Sequence, residues 1–181
     1  MERGDRYAPS TCELSQGSLD RLLSNASIDA GRARALALTA IRETYEETGF
    51  LIGKTYEAGF ADNRLNESWR AFLSHGVVPA LSGVRFLSRA VTPTSQPRRF
   101  DTRFFVVNAD MICKQVDVPD QELDTPEWVT IAEARATERL PWITGVVLKD
   151  LEAWFEIDQT DDEAPVTFRR KRGNSFQLHY L

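Results

Sequence analysis

Apolar residues change their spacing several times along this chain, and each change marks an element. Over residues 33–48 they recur at three- and four-residue intervals. Ala37, Leu38, Ile41 and Tyr45 fall on one arc, the pattern of an amphipathic helix. Gly49 stands where a helix end needs a left-handed residue, and 50–53 then reads as a short buried strand. Asn66 suits the N-cap of a second helix over 67–74, closed by Gly76. Residues 84–91 and 99–108 carry strand composition, the latter through Phe100, Phe104, Phe105, Val106 and Val107, with Pro93 and Pro97 bounding the loop between them. A polar, acidic loop covers 115–125, and 127–129 reads as a short strand. Thr130 and Glu133 form a capping box for a helix to about Glu138. Pro141 opens a final helix to about Phe155, whose apolar set is Trp142, Val146, Val147, Leu151 and Trp154.

This order of helices and strands predicts an α/β protein with a mixed sheet flanked by helices. Residues 1–30 are polar and turn-rich, with a weak helix signal around Leu22 and Leu23, and are expected to be loop. The main domain is expected over 31–157. Residues 158–181 read as an acidic linker and a basic, solvated tail carrying Arg169 to Arg172.

Bulk properties narrow the function. With 181 residues, 42% of them hydrophobic, one domain with a real core is expected. A net charge of -5 offers no basic field for nucleic acid, so no nucleic-acid partner is expected. No apolar run is long enough to span a membrane, so no membrane partner is expected either. Residues 1–10 contain no apolar stretch of the kind a secretory signal needs. Cys12 and Cys113 are far apart and in no metal-ligand spacing, which points to reduced thiols in a cytoplasmic setting. His75 and His179, the only histidines, supply neither a zinc site nor a serine triad well. His75 reads as a polar helix end.

The chemistry concentrates in residues 42–50, Arg-Glu-Thr-Tyr-Glu-Glu-Thr-Gly-Phe. Glu43, Glu46 and Glu47 are i, i+3 and i+4 neighbours and span about 100° of one helix face, opposite the apolar arc. Like charges stacked this way destabilise a helix unless something neutralises them. A divalent cation would do so, and hard oxygen ligands suit magnesium or manganese better than zinc. A plain solvated glutamate face is the competing reading. Arg42 can pair with Glu46 one turn on.

This run resembles the second half of the Nudix box, Arg-Glu-apolar-x-Glu-Glu-x-Gly-apolar. Every fixed position matches, with Thr44 where an aliphatic residue is usual. The stretches 88–107, containing Arg99-Phe100-Asp101-Thr102, and 121–129, a Glu-bearing loop followed by Trp128, are similar to the Nudix subgroup related to the peroxisomal coenzyme A diphosphatases. The resemblance implies an α/β/α sandwich with a mixed sheet. It implies a metal-dependent hydrolase that cleaves the diphosphate bond of a nucleoside diphosphate linked to another moiety, coenzyme A or a derivative among the substrates. Magnesium or manganese would be held by Glu46 and Glu47, with Glu43 as a further ligand or the base, and Arg42 holding the glutamates in place. Glu122 is the first choice for one more catalytic carboxylate and Glu127 the second. Arg98 and Arg99 would grip a phosphate or 3'-phosphate, or else pair with Asp101. Trp69 and Phe72 serve either a core or a base-stacking wall.

The first half of the box departs from the pattern. Counting back from Arg42, the Glu position holds Arg34 and the opening Gly position holds Ile28. In the subgroup an insertion splits the box, and Met1-Glu2-Arg3-Gly4-Asp5 looks like the residues that follow the opening glycine. The chain is therefore expected to begin inside the box and to lack the N-terminal strands. A sheet without them exposes an edge that favours self-association, a homodimer being the simplest case. The alternative function is a catalytically inactive, truncated Nudix fold that acts as a nucleotide-binding or interaction module.

Overall fold

In a computed structural model, the residues described are 1–57, 62–93, 97–118, 126–138, 140–157, 164–172 and 175–181. They form two compact units: Met1–Arg85 with Val107–Pro126, and Phe86–Val106 with Glu127–Leu181. Each unit is built from two separate chain segments.

The first unit is built on α2 (Ala30–Thr48). Its N-cap Asp29 accepts from the Arg32 N–H at 2.6 Å. Its C-cap Gly49 adopts φ 72° and donates to the Tyr45 carbonyl at 2.8 Å. Only a residue without a side chain fits there, because a methyl would run into the Val116 carbonyl. Ala37, Leu38, Ile41 and Tyr45 are buried, as the helical spacing predicted. Trp69 and Phe72 from α3 (Glu67–Ser74) pack against them, with Tyr45–Phe72 and Trp69–Phe72 ring centroids 5.4 and 5.3 Å apart. Burying each such side chain is worth roughly 1.5–3 kcal/mol. Trp69 and Phe72 are therefore core residues, not a stacking wall. Asn66 caps α3 by accepting from the Trp69 N–H, and His75 ends it, both as expected.

Short strands close this unit. β1 (Phe50–Ile52) pairs antiparallel with a later strand, Ile112–Gln115, which follows a short 3-10 turn at Ala109–Met111. β2 (Lys54–Thr55) pairs antiparallel with β3 (Val77–Val78). The sequence reading assigned neither Val77–Val78 nor Ile112–Gln115. The latter has a largely exposed outer face, so no apolar alternation advertises it.

Residues 1–30 correct an expectation. They hold a 3-10 turn at Arg3–Arg6 and α1 (Gln16–Leu23), and Gly4, Asp5, Ser18 and Leu22 are buried. Gly4 has no space for a side chain because Asn66 lies against it. Arg34 pins the stretch that follows, donating to Ala8 O, Ser10 Oγ and Glu13. This stretch reads as loop because its partners are remote in sequence.

The second unit holds a four-stranded mixed sheet. β4 (Arg85–Val91) enters from the first unit and lies between β5 (Asp101–Val106) and β7 (Thr167–Arg172), and β8 (Ser175–Tyr180) follows β7. The strand Ile112–Gln115 is thus β6 in chain order. β4 and β7 run parallel, with Ser88 opposite Thr167, and β7 and β8 run antiparallel. The expected basic tail is therefore wrong: Val166 and Phe168 are buried and Arg169 is held by Asp150 at 2.5 and 2.6 Å. A run of charges reads as solvated when its counter-ions lie elsewhere in the chain. The acidic linker expected at 158–163 lies outside the described residues. Residues 127–129 form no strand, contrary to expectation, and Trp128 is exposed. The Thr130–Glu133 capping box is present and opens α4 (Ile131–Ala136). α5 (Trp142–Phe155) follows Pro141.

Candidate functional site

Arg42 organises the site in the first unit. Its side chain is 1% exposed, although it lies in the last turns of a surface-reaching helix. Nε donates to Asp5 Oδ1 at 2.9 Å, Nη1 to Glu46 Oε2 at 2.6 Å and Nη2 to Glu43 Oε1 at 2.5 Å. Glu2 lies 3.9 Å from Nη1. The guanidinium fork thus holds three carboxylates at once, each through a different nitrogen, which a lysine could not do. Its proton is held more firmly than usual: burial opposes the charge, but Asp5, Glu46 and Glu43 outweigh it.

Asp5 is the residue that sequence reasoning missed. Its side chain is fully buried. Oδ1 accepts from Arg42 Nε and, at 2.8 Å, from Trp69 Nε1; Oδ2 accepts from the Glu2 N–H at 2.5 Å and from Thr39 Oγ1 at 2.9 Å. Burial alone would raise this carboxyl, but the Arg42 bond and then the other donors hold it below the ordinary aspartate value. Nothing local to Asp5 marks it in the sequence, because its partner Arg42 stands 37 positions away.

The three box glutamates share the opposite face of α2 from its core, as expected. Glu43 is 48% and Glu46 30% exposed at the side chain, and Glu47 is partly buried. Arg42 engages one oxygen of Glu43 and one of Glu46. One guanidinium among Asp5, Glu2, Glu43 and Glu46 leaves the cluster with excess negative charge. That charge and the hard oxygen donors fit magnesium or manganese. Among the described residues, no three acidic, histidine or cysteine side chains are yet gathered around a common point. Beside the cluster, the Tyr45 hydroxyl lies 3.4 Å from His75 Nε2. Burial, and then the Glu46 charge, raise the Tyr45 phenol; burial, and then Lys114, lower His75.

Glu122 lies outside the described residues, and Glu127 is exposed in irregular chain. Arg98 and Arg99 are exposed in the second unit. They do not pair with Asp101, whose partners are Arg89 Nε at 2.8 Å and Arg103 Nη2 at 3.2 Å. Burial raises the Asp101 carboxyl, but the bond from Arg89 and the charge of Arg103 bring it below its ordinary value. Arg98 lines a cavity of about 670 Å³ and Arg99 does not.

A mixed α/β fold with a carboxylate-bearing helix locked by a buried arginine is consistent with a Nudix-like fold. The chain is similar to the crystal structure of a NUDIX hydrolase from Alicyclobacillus acidocaldarius, with 33% identity and a TM-score of 0.52 over 71% of this chain. It spans 65% of that protein's length. This likeness supports the Nudix superfamily. No family model and no curated protein matches the chain. Among the described residues, no helix is long and apolar enough to cross a membrane.

Proposed function

We propose that this chain is a divalent-cation-dependent Nudix hydrolase that cleaves the diphosphate bond of a nucleoside diphosphate linked to another moiety, coenzyme A or a derivative being the first substrate to test. The observation that carries the reading is the buried Arg42 fork, which fixes Glu43 and Glu46 on one helix face and leaves excess negative charge there. Glu46 and Glu47 would hold magnesium or manganese, with Glu43 as a further ligand or the proton acceptor. A bound cation neutralises the diphosphate oxygens, orients them and acidifies a water molecule. Arg42 restricts the rotamers of Glu43 and Glu46 before substrate arrives, which reduces the ordering cost in the transition state. Asp5 in turn fixes Arg42. Glu43, half exposed, would take a proton from an attacking water.

The ungathered carboxylates favour a second reading, a nucleotide-binding or interaction module without turnover. Hydrolysis decides between them. The purified chain is incubated with magnesium or manganese and with coenzyme A, ADP-ribose, NADH or a dinucleoside polyphosphate, alongside Glu46→Gln. Turnover that requires the metal and is lost in the variant supports the hydrolase. No turnover from a folded chain with any of these compounds overturns it.

A further inference from the structure

The cavity of about 670 Å³ in the second unit has no role in the reading above. Ala90 and Val91 of β4, Thr102 and Phe104 of β5, and Trp142 and Ile143 of α5 line it, with Phe100 and Arg98 from the segment that enters β5. Its size lies within the range of small-molecule sites, about 300–1,000 Å³. Three features make it more than a packing gap. Phe100 is 60% and Trp142 61% exposed, and both rings stand on its wall. Large rings with this much exposure are uncommon on a protein surface. The polar lining is sparse: among the described residues, its polar side chains besides the two arginines are Thr92 and Thr102, and Thr92 Oγ1 accepts from the Phe100 N–H at 3.1 Å. The two arginines also differ. Arg169 is neutralised by both oxygens of Asp150, whereas Arg98 has no ion-pair or hydrogen-bond partner among the described residues.

We infer that this cavity binds an amphipathic anion, an aromatic or alkyl group attached to a phosphate or similar acid, with the apolar body between Phe100, Phe104 and Trp142 and the acid on Arg98. A guanidinium with no ion-pair partner among the described residues, beside an apolar wall, complements such a ligand in both halves. A neutral apolar compound would leave Arg98 unused. A nucleobase would bury several edge donors and acceptors against a wall with few hydroxyls to meet them. The site lies wholly within the second unit and does not rest on the hydrolase reading, since its test reads binding alone.

The probe is 1-naphthyl phosphate, titrated calorimetrically into the full chain. Comparators are 1-naphthalenemethanol, inorganic phosphate and AMP, and the variants are Arg98→Gln and Phe100→Ser. Both substitutions are at exposed positions, and unfolding curves verify that each variant folds. Naphthyl phosphate should bind more tightly than either naphthalenemethanol or phosphate. Arg98→Gln should weaken it about tenfold or more while leaving naphthalenemethanol unchanged. Phe100→Ser should weaken both naphthyl compounds. Three results would each overturn the assignment: no binding of naphthyl phosphate at millimolar concentration, equal loss of both naphthyl compounds in Arg98→Gln, or tighter binding of AMP than of naphthyl phosphate.

Discussion

Replacing Asp5 by Asn tests the buried charge cluster with almost no change in volume. In the native chain Oδ1 accepts from Arg42 and Trp69, and Oδ2 from the Glu2 N–H and Thr39. An asparagine oxygen can keep the first pair. Its amide nitrogen must then face the Glu2 N–H, donor against donor. Thr39 can turn its hydroxyl to the Ala35 carbonyl, 2.7 Å away, and so loses little. The larger loss is charge: Arg42 stays buried without its buried counter-ion. Breaking a buried pair by removing one partner costs about 3–5 kcal/mol. Because Glu43 and Glu46 still face Arg42, the low end is expected, about 3 kcal/mol. That is a substantial part of an ordinary domain stability of about 5–15 kcal/mol. The assay is urea unfolding followed by tryptophan fluorescence, repeated at falling pH. Asp5 titrates lower in the folded state than in the unfolded one, so its contribution is fully present above the unfolded value, about 3.9, and is lost as pH falls through the folded value. The gap between native chain and variant should therefore be widest near neutrality and narrow in acid. A neutral-pH loss under about 1 kcal/mol, or a gap unchanged through the acid range, would refute this account of the cluster.

Other expectations follow from the same geometry. Arg42→Lys keeps the charge but can satisfy only part of the fork, so thermal unfolding should show a loss of about 2–3 kcal/mol, together with reduced hydrolysis if the Glu46→Gln test is positive. Gly49→Ala should destabilise the first unit by more than about 1 kcal/mol, since it combines a left-handed backbone with collision against Val116; hydrogen exchange should localise the loss to β1 and β6. Thr130→Ala removes one half of a capping box and should cost about 1 kcal/mol, read as greater fraying of α4 in helical circular dichroism.

The sequence showed most clearly what short-range periodicity encodes. α2 with its Gly49 end, α3 with its Asn66 cap and the α4 capping box were all legible, because each is written within a few residues. The glutamate face was legible for the same reason. Asp5 was not, because its meaning depends on Arg42, 37 positions away. β7 was not legible either: Arg169 and Arg170 look like surface charges until Asp150 and the Phe168 ring are placed beside them. The short strands β3 and β6 carry too few residues to show an alternation.

The parallel pairing of β4 with β7 has a consequence for synthesis. Ser88 waits for Thr167, so its partner strand is made only after 78 further residues have been added. At roughly 5–20 residues per second, β4 spends several seconds outside or within the ribosome exit path without that neighbour. During this interval its Phe86 and Leu87 side chains and one full row of backbone amides are uncovered, a state that invites pairing with a neighbouring nascent chain. The first unit includes no residue made after Pro126. The chain should therefore emerge with one half folded and the other awaiting its closing strand, and slowing elongation between positions 92 and 167 should increase its dependence on holding chaperones.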